Sequence, residues 1–378
     1  MSRLKVALVV DHFLPRVGGI ELHVADLARQ LQRRGHAVSV ITATPGLPLF
    51  DGIPVHRLSG PLLPHFEILC HPRPLNELRA LLQRENFSLV HAHSSIVSPL
   101  SYFATRFCHQ LGIPSILTAH SLFGPHMPAF RAANSLFRLT AWCSRLTTVS
   151  EASARALRTL SGRGDVSILP NGIDVSEWEV TPEAHHGLRV TSVMRLNPKK
   201  RPHDLVRAIP QIMQRLPAAM RPTFTVVGDG PYRRHLERRA RRSGIERDVE
   251  FRGYLSRPEI RQLFRTTDLF VLPTIDEAFG IAVLEARCAG LPVVARSNCG
   301  VGDIIAHGTH GLLAGSRDEF AACIADLLMD GARRRRMSHA ARQGLDQFGW
   351  SSVIARHLDA YRGVMGQMAP LPVEAVPA

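Results

Sequence analysis

Short apolar runs alternate with amphipathic stretches along the whole chain, and this alternation, broken once near the middle, restricts the fold more than any other feature. Residues 4–10 read as a buried parallel strand. A loop holding Gly18 and Gly19 follows, then a helix from about Ile20 to Arg34 with Val24, Leu27, Ala28 and Leu31 on one face and Gly35 to stop it. Residues 38–42 supply the next strand, so the opening is a βαβ unit with a glycine turn at the helix N-terminus. The turn lacks a full G-x-G-x-x-G and does not specify a dinucleotide. Further strands are expected at 89–92, 115–118, 146–149 and 166–169. After a polar seam over 171–187 the pattern restarts, with strands at 188–194, 223–227, 269–272 and 292–295. The expectation is an α/β protein of two Rossmann-like domains facing each other across a cleft. Their bounds are 1–178 and 179–347. A helix over 348–365 returns to the first domain, and a loose proline-rich tail fills 366–378.

Bulk properties narrow the class. With 378 residues, 45% hydrophobic content and no apolar run near the roughly 20 residues that span a bilayer, the chain reads as a cytoplasmic globular enzyme. The first residues read as a strand rather than a secretory signal. Six scattered cysteines with no C-x-x-C pair read as reduced core thiols. Net charge is +14, concentrated beyond residue 184 in arginine-rich stretches such as 233–242 and 333–336. A basic surface suits nucleic acid, an anionic membrane or a diphosphate. Only 6% of residues are aromatic and no nucleic-acid signature is present, so nucleic acid is not expected.

Chemistry concentrates in residues 273–285, which set Glu277 and Glu285 eight positions apart around a helix start. Phe279, Gly280 and Ile281 fall at the first turn, where free N–H groups and the dipole attract phosphate. A carboxylate before an anion site and another inside the helix suit a ligand with both phosphates and hydroxyls, as in a nucleotide sugar. If the whole segment is helical, eight residues rise about 12 Å. That exceeds the roughly 5–5.5 Å or up to about 9.5 Å between paired glycosidase carboxyls, which argues against a hydrolase.

Several motifs in order resemble the retaining glycosyltransferase family 4, which has the GT-B fold. Residues 169–174 resemble its interdomain segment. Arg195 through Lys200 resembles the R-x4-K element that grips the donor diphosphate. Gly228 and Gly230 resemble the following glycine turn, residues 251–254 the base pocket wall, and Glu277 through Glu285 the E-x7-E signature. The resemblance implies that Arg195 and Lys200 hold the diphosphate, Glu285 the ribose, and Glu277 the sugar hydroxyls beside the anomeric carbon. Gly18, Gly19 and Glu21 resemble the family's glycine loop over phosphates and acceptor. His120 follows a strand, where members place a histidine near the reacting centre. His93 shares a face with His91; it joins Glu21 as an acceptor-side candidate, although one of the two histidines is expected in the core. No D-x-D or metal-spaced His/Cys cluster is present, so neither metal nor cofactor is expected beyond the nucleotide-sugar co-substrate. The resemblance implies a metal-independent reaction with retained configuration.

Residues 91–95 and 118–124 are similar to phosphatidylinositol N-acetylglucosaminyltransferase catalytic subunits. That similarity implies a UDP-linked donor, a lipid-linked or inositol-type acceptor, and peripheral attachment to the inner membrane face. Apolar residues beside prolines or arginines over 60–75 and 121–142 fit such attachment or packing on a sheet. A soluble acceptor, a nucleotide-sugar epimerase on the same fold and a non-enzymatic basic binding protein stay open alternatives.

Overall fold

A computed structural model describes residues 3–63, 68–69 and 71–367; the tail from residue 368, Cys70 and Phe66 lie outside the described residues. Two compact units result. One holds the described residues up to Gly172 and from Trp350 onward, the other Ile173–Gly349.

The first unit is built on strands β1 (Lys5–Val10), β2 (Ala37–Thr42), β3 (Leu49–Phe50), β4 (Ile53–Arg57), β5 (Leu62–Leu63), β6 (Ile68–Leu69), β7 (Leu89–Ser94), β8 (Ser115–Ala119), β9 (Arg145–Thr148) and β10 (Ser167–Ile168). Strands β5 and β6 form a separate hairpin; the rest make one sheet in the order β10-β9-β8-β7-β1-β2-β4-β3, parallel except for the β3–β4 pair. Alternation in β1 sends Val6, Leu8 and Val10 to one face and Ala7 and Val9 to the other, and each face carries its own core. Helices Pro72–Arg84, Pro99–Leu111 and Glu151–Ser161 contribute to the core on one face, with Leu78, Leu81, Leu100, Ala104 and Leu157. Helix Gly19–Arg33 and the last helix, Trp350–Gln367, contribute to the other through Val24, Leu27, Leu31, Val353, Tyr361 and Val364. Burial on both faces is why the strands read as continuous apolar runs.

The second unit carries β11 (Arg189–Val193), β12 (Thr223–Val227), β13 (Val249–Gly253), β14 (Leu269–Leu272), β15 (Val293–Arg296) and β16 (Gly311–Ala314). They lie parallel in the order β13-β12-β11-β14-β15-β16. This is the doubly wound 3-2-1-4-5-6 order, whose reversal between β11 and β14 opens a crevice beyond the strands' carboxyl ends. In the first sheet the corresponding reversal lies between β1 and β7.

Strands β13 and β16 escape the sequence pattern. Val249-Glu-Phe-Arg-Gly alternates charge with apolar residues at a sheet edge, and Gly311–Ala314 is only four residues long. Among the described residues no helix is long and apolar enough to cross a membrane. Of the two stretches that suited a membrane, the side chains of residues 62–70 lie outside the described residues. In residues 121–142, Phe123 and Phe130 are buried against each other, 4.4 Å between rings, which corrects the interfacial reading for those two. Leu136 and Phe137 stay exposed. Cysteines 108, 143, 288 and 299 are buried free thiols, and Cys323 is half-buried.

Candidate functional site

The donor-type motifs gather at the carboxyl edge of the second sheet, at its strand-order reversal. Beyond β11 the chain turns through Pro198–Lys200, a short 3-10 turn capped by Asn197, whose side-chain oxygen accepts from Lys200 N at 3.0 Å. Thr274, just beyond β14, donates to the Lys200 carbonyl at 3.0 Å. These two bonds fix Lys200 so that its Nζ meets Glu277 Oε2 at 2.6 Å, with 27% and 13% of the two side chains exposed. Lys199 is partly buried; desolvation, then the neighbouring Lys200, lower its pKa, and Glu277 and Asp276 oppose the shift. Arg195 is exposed on the same segment.

The glycines here answer to backbone crowding. Gly228 (φ +120°) and Gly230 (φ +152°) run so close to the Arg195 segment that an added Cβ would sit 1.9 Å from Met194 O and 2.5 Å from Leu196 O. Their requirement is therefore met without any ligand, and they act on a donor by shaping the Met194–Leu196 loop. Gly280 (φ +100°) caps helix Ile281–Cys288. Its first turn lies beside Glu277, which precedes the helix by four residues, and Glu285 sits in its second turn, 7% exposed. Glu277 therefore lies in a loop, and the continuous helical rise argued from the sequence does not apply. Gly300 N donates to Glu277 O at 2.7 Å, and a Cβ on Gly300 would lie 1.9 Å from Ala278 O, so the Glu277 loop rests on a glycine that the motifs do not include. Phe279 offers only its backbone, the part the anion reading uses. Its ring is 2% exposed and meets Phe348 edge-on at 5.8 Å, leaving backbone rather than side chain for a ligand. Ile281 is half-buried.

The first unit carries a second constellation at its own reversal. Gly18 is the N-cap of helix Gly19–Arg33 in extended geometry, and Glu21 is buried in the first turn, 3.8 Å from Arg16. Strand β7, Leu-Val-His-Ala-His-Ser, is buried at all six positions. Buried polar groups need partners. His91 finds Tyr361 Oη at 2.9 Å and Thr118 Oγ1 at 2.6 Å, so it is the core member of the pair. His93 Nδ1 meets His120 Nε2 at 2.9 Å. His120 follows β8, its N–H bonded to Ser94 O at 2.8 Å, and is half-buried.

Around them stand residues the motifs did not include. His23, one turn into helix Gly19–Arg33, stacks on Trp350 at 5.7 Å, and His357 donates from Nδ1 to Val353 O at 2.8 Å. Only folding brings these far-apart positions together, though the helical phase of His23 after Gly18-Gly19 was a readable signal.

Burial, together with the other histidines, keeps this cluster neutral. Desolvation lowers His23, His91 and His93 well below the ordinary value, His120 to about 3 and His357 to about 4. An unfolded histidine titrates near 6.5, so between pH 6.5 and 4 the unfolded chain binds more protons, and stability falls as pH falls. Asp11, raised to about 6 mainly by burial, opposes this with one proton between pH 6 and 4. The expected net result is a melting temperature that drops from pH 7 to 5, each histidine contributing about 1.4 kcal/mol per pH unit. His357→Gln should flatten that profile in a calorimetric pH series; an unchanged slope would contradict the burial argument.

Comparison with known proteins follows the same division. Residues 17–177 match the family described as Glycosyltransferase Family 4, and residues 179–344 that described as Glycosyl transferases group 1. An uncharacterized glycosyltransferase of Methanocaldococcus jannaschii is 26% identical over 97% of this chain and its own full length. The phosphatidylinositol N-acetylglucosaminyltransferase gpi3 subunit of Schizosaccharomyces pombe is 25% identical over 95% of this chain and 81% of its own length. A Mycobacterium tuberculosis GDP-mannose-dependent alpha-(1-6)-phosphatidylinositol monomannoside mannosyltransferase is 28% identical over 96% of this chain and 99% of its length. Among solved structures, Anabaena HepE in complex with UDP and glucose superposes with a TM-score of 0.79 at 22% identity, over 95% of this chain and all of HepE. Thermosynechococcus elongatus sucrose-phosphate synthase gives 0.81 at 20%, over 96% and 100%. Both show the GT-B fold.

Proposed function

The chain belongs to the glycosyltransferases of the family 4 type with the GT-B fold, and on that premise we propose that it moves a hexose or N-acetylhexosamine from a nucleotide sugar, UDP-linked and with UDP-N-acetylglucosamine as first candidate, to a lipid-linked or inositol-type acceptor. The observation that carries this reading is the half-buried Lys200–Glu277 pair beside the first turn of helix Ile281–Cys288, at the strand-order reversal of a doubly wound sheet. Cation, carboxylate and helix N-terminus together match the phosphate and hydroxyl ends of one ligand. Names among the relatives support the inositol-lipid side, and HepE supports UDP.

In this reading Arg195, Lys200 and the backbone at Gly280–Ile281 take up charge on the departing diphosphate, a role that needs no metal. Glu285 accepts from ribose hydroxyls and Glu277 from the sugar. The acceptor oxygen attacks the anomeric carbon on the face the phosphate leaves. The sugar–phosphate bond breaks as the new glycosidic bond forms, and a phosphate oxygen takes the acceptor proton, so configuration is retained. His120, with His93, Glu21 and the Gly18-Gly19 loop, is assigned to the acceptor. The protein works against the inner membrane face.

Thermal denaturation with UDP-, GDP- and ADP-sugars tests the donor. At about 100 times its dissociation constant a true donor adds roughly 2.7 kcal/mol, a shift of several degrees. Transfer is then read with phosphatidylinositol and with soluble sugars as acceptors. Product on the soluble sugar alone would redirect the acceptor, and free sugar-nucleotide product without an acceptor would mean an epimerase. No stabilisation by any nucleotide sugar, with polyanion binding unaffected by Lys200→Ala, would leave only a basic binding protein.

A further inference from the structure

The histidine cluster of the first unit contains a trio whose geometry exceeds what a sugar acceptor needs. His23, His93 and His120 offer one ring nitrogen each, all within 4.8 Å of one another. Their ring centroids are 5.2, 5.5 and 6.0 Å apart. Three imidazoles bound to one zinc at ~2.0–2.1 Å set their centroids roughly 5–5.5 Å apart. The trio already stands near that arrangement.

Hydrogen bonding separates this trio from its neighbours. His91 has both nitrogens engaged, by Tyr361 and Thr118, and His357 commits Nδ1 to a carbonyl. His23 Nδ1 and His93 Nε2 are instead buried with no hydrogen-bond partner among the described residues. The one bond inside the trio joins two imidazoles, His93 Nδ1 and His120 Nε2, 2.9 Å apart; a cation takes the place of the shared proton when the donor ring shifts that proton to its other nitrogen, leaving both facing lone pairs free. Neutral imidazole is the ligating form. The supporting frame is ordered: His93 lies in β7, the His23 ring stacks on Trp350, and Ser101 Oγ stands 2.9 Å from both the His93 carbonyl and the carboxyl of buried Asp11, able to donate its one proton to either. His120 is the most exposed residue of the three, so the fourth ligand is assigned to its side.

We propose that His23, His93 and His120 form a three-histidine site for a divalent transition metal of the zinc class, with water or a substrate oxygen as fourth ligand. Occupation ties up the His120 nitrogen. If His120 acts in transfer, as proposed above, the bound metal inhibits the enzyme; this consequence rests on that reading, whereas the site itself does not.

The experiment uses the full chain, stripped of metal with a chelator and titrated with Co²⁺ while the visible spectrum is recorded. The site predicts one tetrahedral Co²⁺ per chain, displaced by Zn²⁺. His23→Gln should lose that species with a drop in affinity larger than the roughly 10–100-fold caused by removing an outer partner. His93→Gln should do the same, which guards against a folding defect in one variant; circular dichroism and melting confirm that each is folded. Equal spectra in wild type and both folded variants, or an octahedral spectrum in the wild type, would overturn the site. In transfer assays one equivalent of Zn²⁺ should suppress the wild type and spare His23→Gln. Equal suppression of both would refute inhibition through this trio. Absence of transfer with every donor would refute the proposed function while leaving the Co²⁺ result standing.

Discussion

Glu277→Gln is expected to leave the fold intact and to lower turnover by about 10²–10³-fold, the usual effect of removing one preorganised electrostatic group. Glutamine keeps the shape of the side chain, and its amide oxygen can still accept from Lys200 Nζ, now 2.6 Å from the carboxylate. The backbone bond from Gly300 to the Glu277 carbonyl does not involve the side chain and should persist. What disappears is the negative charge that, in the proposed reading, faces the developing positive charge at the anomeric carbon. Lys200→Ala should cost a similar factor by removing the diphosphate's cation. Because the two form one pair, the double variant should lose much less than the product of the single losses. Single-turnover assays with the donor found by thermal shift measure all three. A Glu277→Gln enzyme at wild-type rate would remove the pair from the mechanism.

Arg287→Met should destabilise the second unit by roughly 3–5 kcal/mol, lowering its melting temperature by about 10 °C. Arg287 is 2% exposed on the helix that carries Glu285, and its guanidinium donates to three carbonyls: Ala341, Ile304 and Gln343. Burial lowers its pKa to about 10, still far above neutrality, so the fork stays charged. Methionine fills similar volume but donates nothing, leaving three acceptors in a dry environment. Arg287→Lys should rescue only in part, since one ammonium does not reach three carbonyls in the planar pattern. Differential scanning calorimetry decides it; a loss below about 1 kcal/mol would mean that water reaches the carbonyls.

What the sequence revealed and what it hid differ by the range of the interactions. The βαβ opening, the restart after residue 187 and most strands were legible because both faces of a parallel sheet are buried, which leaves unbroken apolar runs. Lys200 and Glu277 were legible as motif members, but their 2.6 Å contact was not, since 77 positions separate them. The E-x7-E stretch was legible as a carboxylate before a helix start, since the helix begins at Ile281; what fails is the rise of about 12 Å, which held only for a wholly helical segment, because Glu277 sits in a loop braced by Gly300. Phe279 read as part of an anion site, yet only tertiary packing shows that its ring serves Phe348. The histidine cluster draws on residues 23, 91, 93, 120 and 357, and no window of sequence contains them together.

The last helix carries a consequence for biosynthesis. Tyr361 and Val364 complete a core that begins with Leu4, while the entire second unit is a single uninterrupted span of chain between those two portions. As the polypeptide emerges from the ribosome, Ile173–Gly349 is able to close on itself before the earlier-made sheet has its final covering. Until Trp350–Gln367 has been synthesised, part of the covering of one sheet face and the hydroxyl partner of His91 are missing. The half made first is thus the half finished last, and nascent chains arrested near residue 349 expose the surface a chaperone would need to shield.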